Sequence, residues 1–293
     1  MSPTVIITII SLSILAAISA VILYFIAQRF KVFEDPRIDD VQAILPAANC
    51  GGCGFAGCRN FAEALVAADT FEGLNCPVGG KSVMEAAAEI LGKTPVTVDP
   101  LVAVLRCNGA PEFRPYTSFY DGVADCRIQH SLYIGETDCS YGCLGNGDCV
   151  RACQFDAMHM DPVTKLPVIA DDNCTACGAC VKACPRMLIE LRKKAKKDRK
   201  IYVACSNCDK GGPARRACKV ACIACGKCVK VCEFGAIVIE NNLAYIDAKK
   251  CTFCRKCVTE CPTNSIIELN FPPRKPKAEV LPETANNQTD IKI

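Results

Sequence analysis

The stretch CIACGKCVKVC, Cys222 to Cys232, recurs as CTFCRKCVTEC, Cys251 to Cys261, and its spacing recurs in CTACGACVKAC, Cys174 to Cys184. Each run reads C-x2-C-x2-C-x3-C, the spacing by which bacterial ferredoxins ligate [4Fe–4S] clusters. Three closely spaced thiolates wrap one cubane, and the chain then turns away, so the fourth cysteine serves the partner cluster. Proline follows Cys184 and Cys261, as the motif expects, whereas Glu233 follows Cys232. A fourth run, Cys139, Cys143, Cys149 and Cys153, is wider, with Gly142, Gly145 and Gly147 relaxing the loop. Exchange of fourth ligands predicts four sets: Cys139, Cys143, Cys149 with Cys184; Cys174, Cys177, Cys180 with Cys153; Cys222, Cys225, Cys228 with Cys261; and Cys251, Cys254, Cys257 with Cys232.

Short strands are expected between these runs. Ala157–Met160 with Leu166–Ala170, and Ala236–Glu240 with Leu243–Asp247, read as β-hairpins, the second closed by Asn241-Asn242. Met187–Leu191 and Ser265–Leu269 read as single strands. Towards the N-terminus, Cys50, Cys53, Cys58 and Cys76 have the spacing C-x2-C-x4-C-x17-C, able to enclose one further cubane. Arg59–Ala68 and Ser82–Leu91 carry apolar residues at helical spacing, while Thr94–Leu105 leans to β structure but is interrupted by Pro95 and Pro100.

The chain has 293 residues, 25 cysteines, two histidines and a formal net charge of +3, a balance that does not point to nucleic acid. The tight cysteine runs suit metal rather than a disulfide framework, and the scarcity of histidine leaves all-cysteine zinc as the competing reading. His130 and His159 read as ordinary surface or packing residues. Gly52–Gly57 matches G-x-G-x-x-G, but no strand precedes it, so a nucleotide site is not expected; a thioredoxin-like pair at Cys50 and Cys53 is disfavoured by the nearby Cys58. No flavin motif, phosphate loop or Ser/His/Asp set is apparent, and no bond-making active site is expected.

Five cysteines remain: Cys107, Cys126, Cys205, Cys208 and Cys218. They are either buried, inert thiols or a further cluster, for which Cys107, Cys126, Cys205 and Cys218 are the expected set. Arg192–Lys200 (RKKAKKDRK) carries seven basic residues and one acid, and reads as a solvated spacer or a docking patch for an acidic partner.

Thr4–Ala27 is uncharged and apolar. As a helix it spans about 36 Å at about 1.5 Å per residue, enough for a hydrocarbon core of about 30 Å. A cleaved signal peptide would have a basic n-region and a shorter apolar core; a retained anchor is expected instead. Arg29, Lys31 and Arg37 follow the helix and no base precedes it, which places the remainder on the cytoplasmic side of a bacterial inner membrane, single-pass.

The expected fold class is α+β: a single N-terminal transmembrane helix, a small helical 4Fe–4S module and tandem bacterial-type 2[4Fe–4S] ferredoxin domains. The boundaries are an anchor at 1–28, a linker at 29–40, the 4Fe–4S module at 41–92, a connecting segment at 93–138, ferredoxin-like domain 1 at 139–191, a basic, cysteine-containing connector at 192–221, ferredoxin-like domain 2 at 222–270 and a disordered tail at 271–293. Five [4Fe–4S] clusters are expected, six if the remaining thiols contribute, with no flavin or nucleotide on this chain.

The anchor, the NCGGCGFAGC module (Asn49–Cys58, with Cys76) and the ferredoxin runs stand in an order that closely resembles the B-subunit family of the Rnf complex, a membrane ferredoxin:NAD+ oxidoreductase that translocates Na+ or H+. The likeness covers residues 1 to about 270. It implies that Cys50, Cys53, Cys58 and Cys76 hold the cluster nearest the membrane and that soluble ferredoxin delivers electrons to the ferredoxin domains. It also implies that membrane and peripheral partner subunits carry the electrons onward to flavins and NAD+. Shorter family members have one ferredoxin domain, so two mark a long form. The competing readings are a membrane-tethered polyferredoxin of another redox complex and a non-redox zinc scaffold.

Overall fold

The computed structural model describes residues 3–29, 35–96 and 98–273. Part of the expected linker (30–34) and most of the expected tail (274–293) lie outside the described residues. The chain divides into two compact units, one up to Val98 and one from Asp99.

The first unit opens with α1 (Pro3–Arg29), whose large apolar side chains, from Ile6 to Ile26, are exposed. It is the one helix among the described residues long and apolar enough to cross a membrane. Three further helices follow: α2 (Arg37–Ile44), α3 (Cys58–Ala67) and α4 (Gly80–Leu91). The periodicity of Phe61, Leu65, Met84, Ala88 and Leu91 places one apolar face of each helix in a common core with Val41 and Phe71. Gly92, left-handed at φ 63°, ends α4, as glycine does most readily. The Nζ of Lys93 then donates to the carbonyl oxygens of Leu65 (2.7 Å), Val66 (3.1 Å) and Ala68, capping α3 from outside.

The second unit contains two halves with the same topology. In the first, β1 (Leu101–Leu105) pairs antiparallel with β4 (Ile189–Lys193), while β2 (Met158–Met160) and β3 (Pro167–Ile169) form a hairpin. In the second, β5 (Lys200–Val203) pairs with β8 (Ile266–Leu269), and β6 (Ile237–Glu240) and β7 (Leu243–Ile246) form the hairpin. Asn241 (φ 48°) and Asn242 (φ 59°) make the turn between β6 and β7; both are left-handed, as a type I′ turn requires. Short helices punctuate the cysteine runs: α6 (Asp148–Arg151) and α7 (Ala179–Ala183) in the first half, α9 (Lys227–Lys230) and α10 (Lys256–Thr259) in the second. Helices α5 (Cys126–Leu132) and α8 (Gly211–Ala217) precede each half's cysteine runs.

β1 and β5 lie in segments expected to be connectors. Each is buried on both faces, so neither shows the alternation of a half-exposed strand. Ala103 and Leu105 face the first half's core, whereas Val104 packs with Tyr202, Ala204 and Ile267. Ile201 and Val203 face the second core. The two halves therefore share a small apolar layer, and the Asn108 N–H donates to the Ala204 carbonyl (3.0 Å) where β1 and β5 end.

The basic run from Arg192 to Lys200 is a β-strand, a turn and a second strand. Its two ends are buried: Arg192 pairs with Glu190 (2.7 Å) and Lys200 with Asp171. Arg192 also donates to the Ile246 carbonyl and lies over the rings of Tyr202 (5.9 Å) and Tyr245 (5.5 Å). Lys193, Lys196 and Lys197 are exposed.

Candidate metal centres

The cysteine loops share a backbone geometry. In the three regular runs the residues flanking the second cysteine have positive φ: Ala176 and Gly178, Ala224 and Gly226, Phe253 and Arg255. Left-handed residues within such loops turn successive N–H groups into the concavity, producing an anion-binding nest. Phe253 and Arg255 adopt it without being glycine, a conformation that costs about 1 kcal/mol or more each and is held by the surrounding structure. Gly51 and Gly54 in the N-terminal module, and Gly145 and Gly147 in the wide run, supply the same sign of φ.

Four cavities are each lined by four thiols. Cys50, Cys53, Cys58 and Cys76 line one between α2 and α3, beneath Phe61. Asn49 braces that loop, its Oδ1 accepting from the Cys58 N–H at 2.8 Å, and the Gly79 N–H donates to Cys76 Sγ at 3.3 Å. Cys222, Cys225, Cys228 and Cys261 line the second, where the Ser265 N–H donates to Cys261 Sγ at 3.3 Å. Cys126, Cys143, Cys149 and Cys184 line the third, where Cys184 Sγ accepts from the Leu188 N–H at 3.4 Å. Cys107, Cys139, Cys205 and Cys218 line the fourth. Besides burial, repulsion from neighbouring thiols raises two further cysteines: Cys174, Cys177 and Cys153 act on Cys180, and Cys251, Cys254, Cys228 and Cys232 on Cys257.

Two residues line other cavities than the expected sets would give them. Cys126, expected with Cys107, Cys205 and Cys218, lines the cavity of Cys143, Cys149 and Cys184. Cys139, expected with Cys143 and Cys149, joins Cys107, Cys205 and Cys218. The reason is local. Asp125 caps α5 through the N–H groups of Arg127 (2.8 Å) and Ile128 (3.0 Å), and the Cys126 N–H donates to both carboxylate oxygens of Asp148 at 3.0 Å. Asp148 opens α6, next to Cys149, so this contact carries Cys126 to Cys149. Spacing along the chain gives no signal for it. Cys208 lines none of these cavities; its Sγ lies 3.7 Å from the Ser206 carbonyl oxygen.

Burial raises several of these thiols: Cys149, Cys205 and Cys257 to about 12, and Cys180 and Cys228 to about 11, with neighbouring cysteines adding to the effect. Cys143 is raised for the same reason. Cys261 shifts the other way: burial opposes its ionisation, but hydrogen bonding from Thr263, Ile266 and Ser265 outweighs it. Such thiols bind metal as thiolates, so loading displaces protons. The positive charge near them is also unusual. Arg114 is 9% exposed, its Nη2 donates to the Cys143 carbonyl (2.6 Å), and its Nε has no hydrogen-bond partner. Arg186 donates to the carbonyl oxygens of Gly142 and Ile134, and its Nε is likewise buried without a partner. Two guanidiniums, buried in Arg114 and half-buried in Arg186, beside cysteine-lined cavities fit an anionic group such as a thiolate-ligated iron–sulfur cluster. Among the described residues, no three ligand side chains converge on the position of a single ion. The thiols line cavities instead.

Comparison with known proteins agrees with this chemistry. The 4Fe–4S dicluster domain family matches residues 138–187 and 221–265, and a putative Fe–S cluster family matches residues 45–77. The B-subunit of the Na+-translocating ferredoxin:NAD+ oxidoreductase complex of Acetobacterium woodii is 45% identical over 240 residues, covering 82% of this chain and 71% of that protein. The B-subunit of the ion-translocating oxidoreductase complex of Methanosarcina acetivorans is 40% identical, covering 87% of this chain and 96% of the relative. The chain belongs to this B-subunit family. The B-subunit of the proton-translocating ferredoxin:NAD+ oxidoreductase complex of Clostridium ljungdahlii is also similar, 39% identical over 90% of this chain and 92% of that protein. In this family member the two dicluster matches fall on the two topologically equivalent halves, and the Fe–S match falls on the α2–α4 module.

Proposed function

We propose that this chain is the electron-carrying subunit of a membrane ion-translocating ferredoxin:NAD+ oxidoreductase, accepting electrons from reduced ferredoxin and passing them towards membrane partner subunits. The observation that carries the reading is the set of cysteine-lined cavities, repeated on nest-forming loops, in a chain with an exposed apolar helix. When bound, [4Fe–4S] clusters supply one-electron transfer, and the protein's part is position and electrostatics.

The ligand sets we assign are Cys50, Cys53, Cys58 and Cys76; Cys126, Cys143, Cys149 and Cys184; Cys153, Cys174, Cys177 and Cys180; Cys222, Cys225, Cys228 and Cys261; and Cys232, Cys251, Cys254 and Cys257, all within the family-matched regions except Cys126. Burial of the thiols and the sulfur-directed N–H groups of Gly79, Leu188 and Ser265 support them. The basic residues Arg29, Lys31 and Arg37 that follow the apolar stretch of α1 support a membrane anchor with the cysteine-bearing units on the cytoplasmic side. The uncharged anchor has no ionisable group at membrane depth, so ion translocation belongs to partner subunits. Na+ and H+ are both named among the relatives, and the choice rests with those partners.

The test is co-purification of the tagged chain from membranes, followed by anaerobic reduction with ferredoxin. Recovery with integral membrane and flavin-bearing partners, and reduction of the iron–sulfur signal by ferredoxin, is the expected result. Recovery with a hydrogenase or other reductase would replace this reading by that of a tethered polyferredoxin.

A further inference from the structure

The geometry points to a sixth [4Fe–4S] site, held by Cys107, Cys139, Cys205 and Cys218, where the two halves of the second unit meet. This rests on the iron–sulfur reading above but on different residues. Three of its four cysteines, Cys107, Cys205 and Cys218, lie outside both dicluster matches.

The four thiols come from four separate segments and line one cavity. Cys107 follows β1 and Cys205 follows β5, the strands whose ends are joined by the hydrogen bond from Asn108 to Ala204. Cys139 opens the wide cysteine run, and Cys218 follows α8, just before the run that starts at Cys222. The site therefore draws two ligands from each half. No motif could announce it, because no two of its cysteines are close in sequence.

Hydrogen-bond donors already point at these sulfurs. Cys107 Sγ accepts from the Cys143 N–H at 3.4 Å. Cys205 Sγ accepts from the N–H groups of Cys222 (3.3 Å) and Asn207 (3.4 Å). The Asn207 side chain, 1% exposed, places its Nδ2 3.7 Å from Cys139 Sγ. Sulfurs that each collect donors are set up to carry negative charge.

A second, independent observation is Arg114. It lines the same cavity, is buried, and leaves Nε without an acceptor. Its Nε and Cys218 Sγ lie 3.3 and 3.4 Å from the place a Cβ on Gly109 would occupy, so the guanidinium and the thiol share one tight corner. Among the described residues no carboxylate pairs with Arg114. A buried cation without a counter-ion is costly. A tetrathiolate cluster, negatively charged overall, provides one.

The test is iron and acid-labile sulfide per chain, with electron paramagnetic resonance of the reduced state, on the full-length protein purified anaerobically in detergent. Native protein is expected to hold about 24 iron atoms, at about four per cubane. Cys205→Ser and Cys218→Ser should each lose about four, whereas Cys208→Ser should lose none. The discriminating variant is Cys139→Ser combined with Cys205→Ser. If the two share one site, the double variant loses the same four irons as either single variant. A loss of about eight, additive over the singles, would place Cys139 in a different cluster and overturn the ligand set. A Cys205→Ser protein with an unchanged iron count and spectrum would overturn the site itself while leaving the other five intact. Should Cys205→Ser fail to accumulate, Cys218→Ser combined with Cys139→Ser gives the same reading. Native protein without iron would refute the iron–sulfur assignment as a whole.

Discussion

Replacing Arg192 by methionine tests how the two halves of the second unit are held together. Arg192 is 6% exposed, although it begins the most basic run in the chain. Its guanidinium lies 2.7 Å from Glu190, donates to the Ile246 carbonyl and lies over two tyrosine rings, Tyr202 and Tyr245. Glu190 lies on β4 of the first half, Tyr202 belongs to the shared layer, and Ile246 and Tyr245 belong to the second half's hairpin, so one side chain links both halves. Removing one member of a buried ion pair costs about 3–5 kcal/mol, chiefly because the other charge is stranded. Here Glu190 is 23% exposed and keeps Arg106 at 3.7 Å, which puts the loss near the lower end, about 3 kcal/mol. For a unit of roughly 200 residues each kcal/mol shifts the melting midpoint by about 2–4 °C, giving a fall of about 6–12 °C. The assay is loss of circular dichroism on anaerobic heating of cluster-loaded protein, variant and native at one scan rate. Lys196→Met, exposed in the same run, is the control and should shift the midpoint by less than about 2 °C. Equal shifts for the two variants would make Arg192 one more solvated base and remove its bridging role.

Three other outcomes follow from the same structure. Phe61→Ala empties a site that is 1% exposed against Phe55 (ring centroids 5.5 Å apart) and should cost about 3–5 kcal/mol; the small α2–α4 module should then lose its iron, about four atoms, while the second unit keeps its own, and an undiminished iron count would contradict this. Leu15→Arg with Ile18→Arg places two charges mid-anchor at a cost of about 6 kcal/mol, and should move the protein from the carbonate-resistant membrane pellet to the soluble fraction; retention in the pellet would argue against α1 as the sole anchor. Asn207→Leu removes the donor beside Cys139 and, with the sixth site in place, should lower one cluster's reduction potential by about 20–60 mV in an anaerobic redox titration, since a hydrogen bond worth about 0.5–1.5 kcal/mol favours the more anionic reduced state; identical potentials would remove Asn207 from that role.

The sequence and the fold agree where the signal is local. The regular cysteine runs, the Asn241-Asn242 hairpin and the closing strands β4 and β8 are all short-range patterns, and the structure has an element at each. β1 falls at the end of the stretch read as β-leaning, just past Pro95 and Pro100, whereas β5 was concealed. β5 begins at Lys200, whose charge reads as solvent-facing until Asp171, far earlier in the chain, is seen to bury it. Once paired, these two strands show that the segments read as connectors complete the sheets of the ferredoxin halves. The site follows the same division. Runs with fixed spacing can be read along the chain, but the placing of Cys126 beside Cys149 depends on the contact between Asp148 and the N-terminus of α5, which no spacing rule encodes.

Whether this chain is an iron–sulfur electron carrier is decided by the metal and sulfide content of the full-length protein, purified from membranes without exposure to oxygen. Iron and acid-labile sulfide are expected in equal amounts, about 24 of each per chain and no fewer than about 20, with paramagnetic [4Fe–4S] signals on reduction. A colourless protein with stoichiometric zinc and no sulfide would make the chain a zinc scaffold instead.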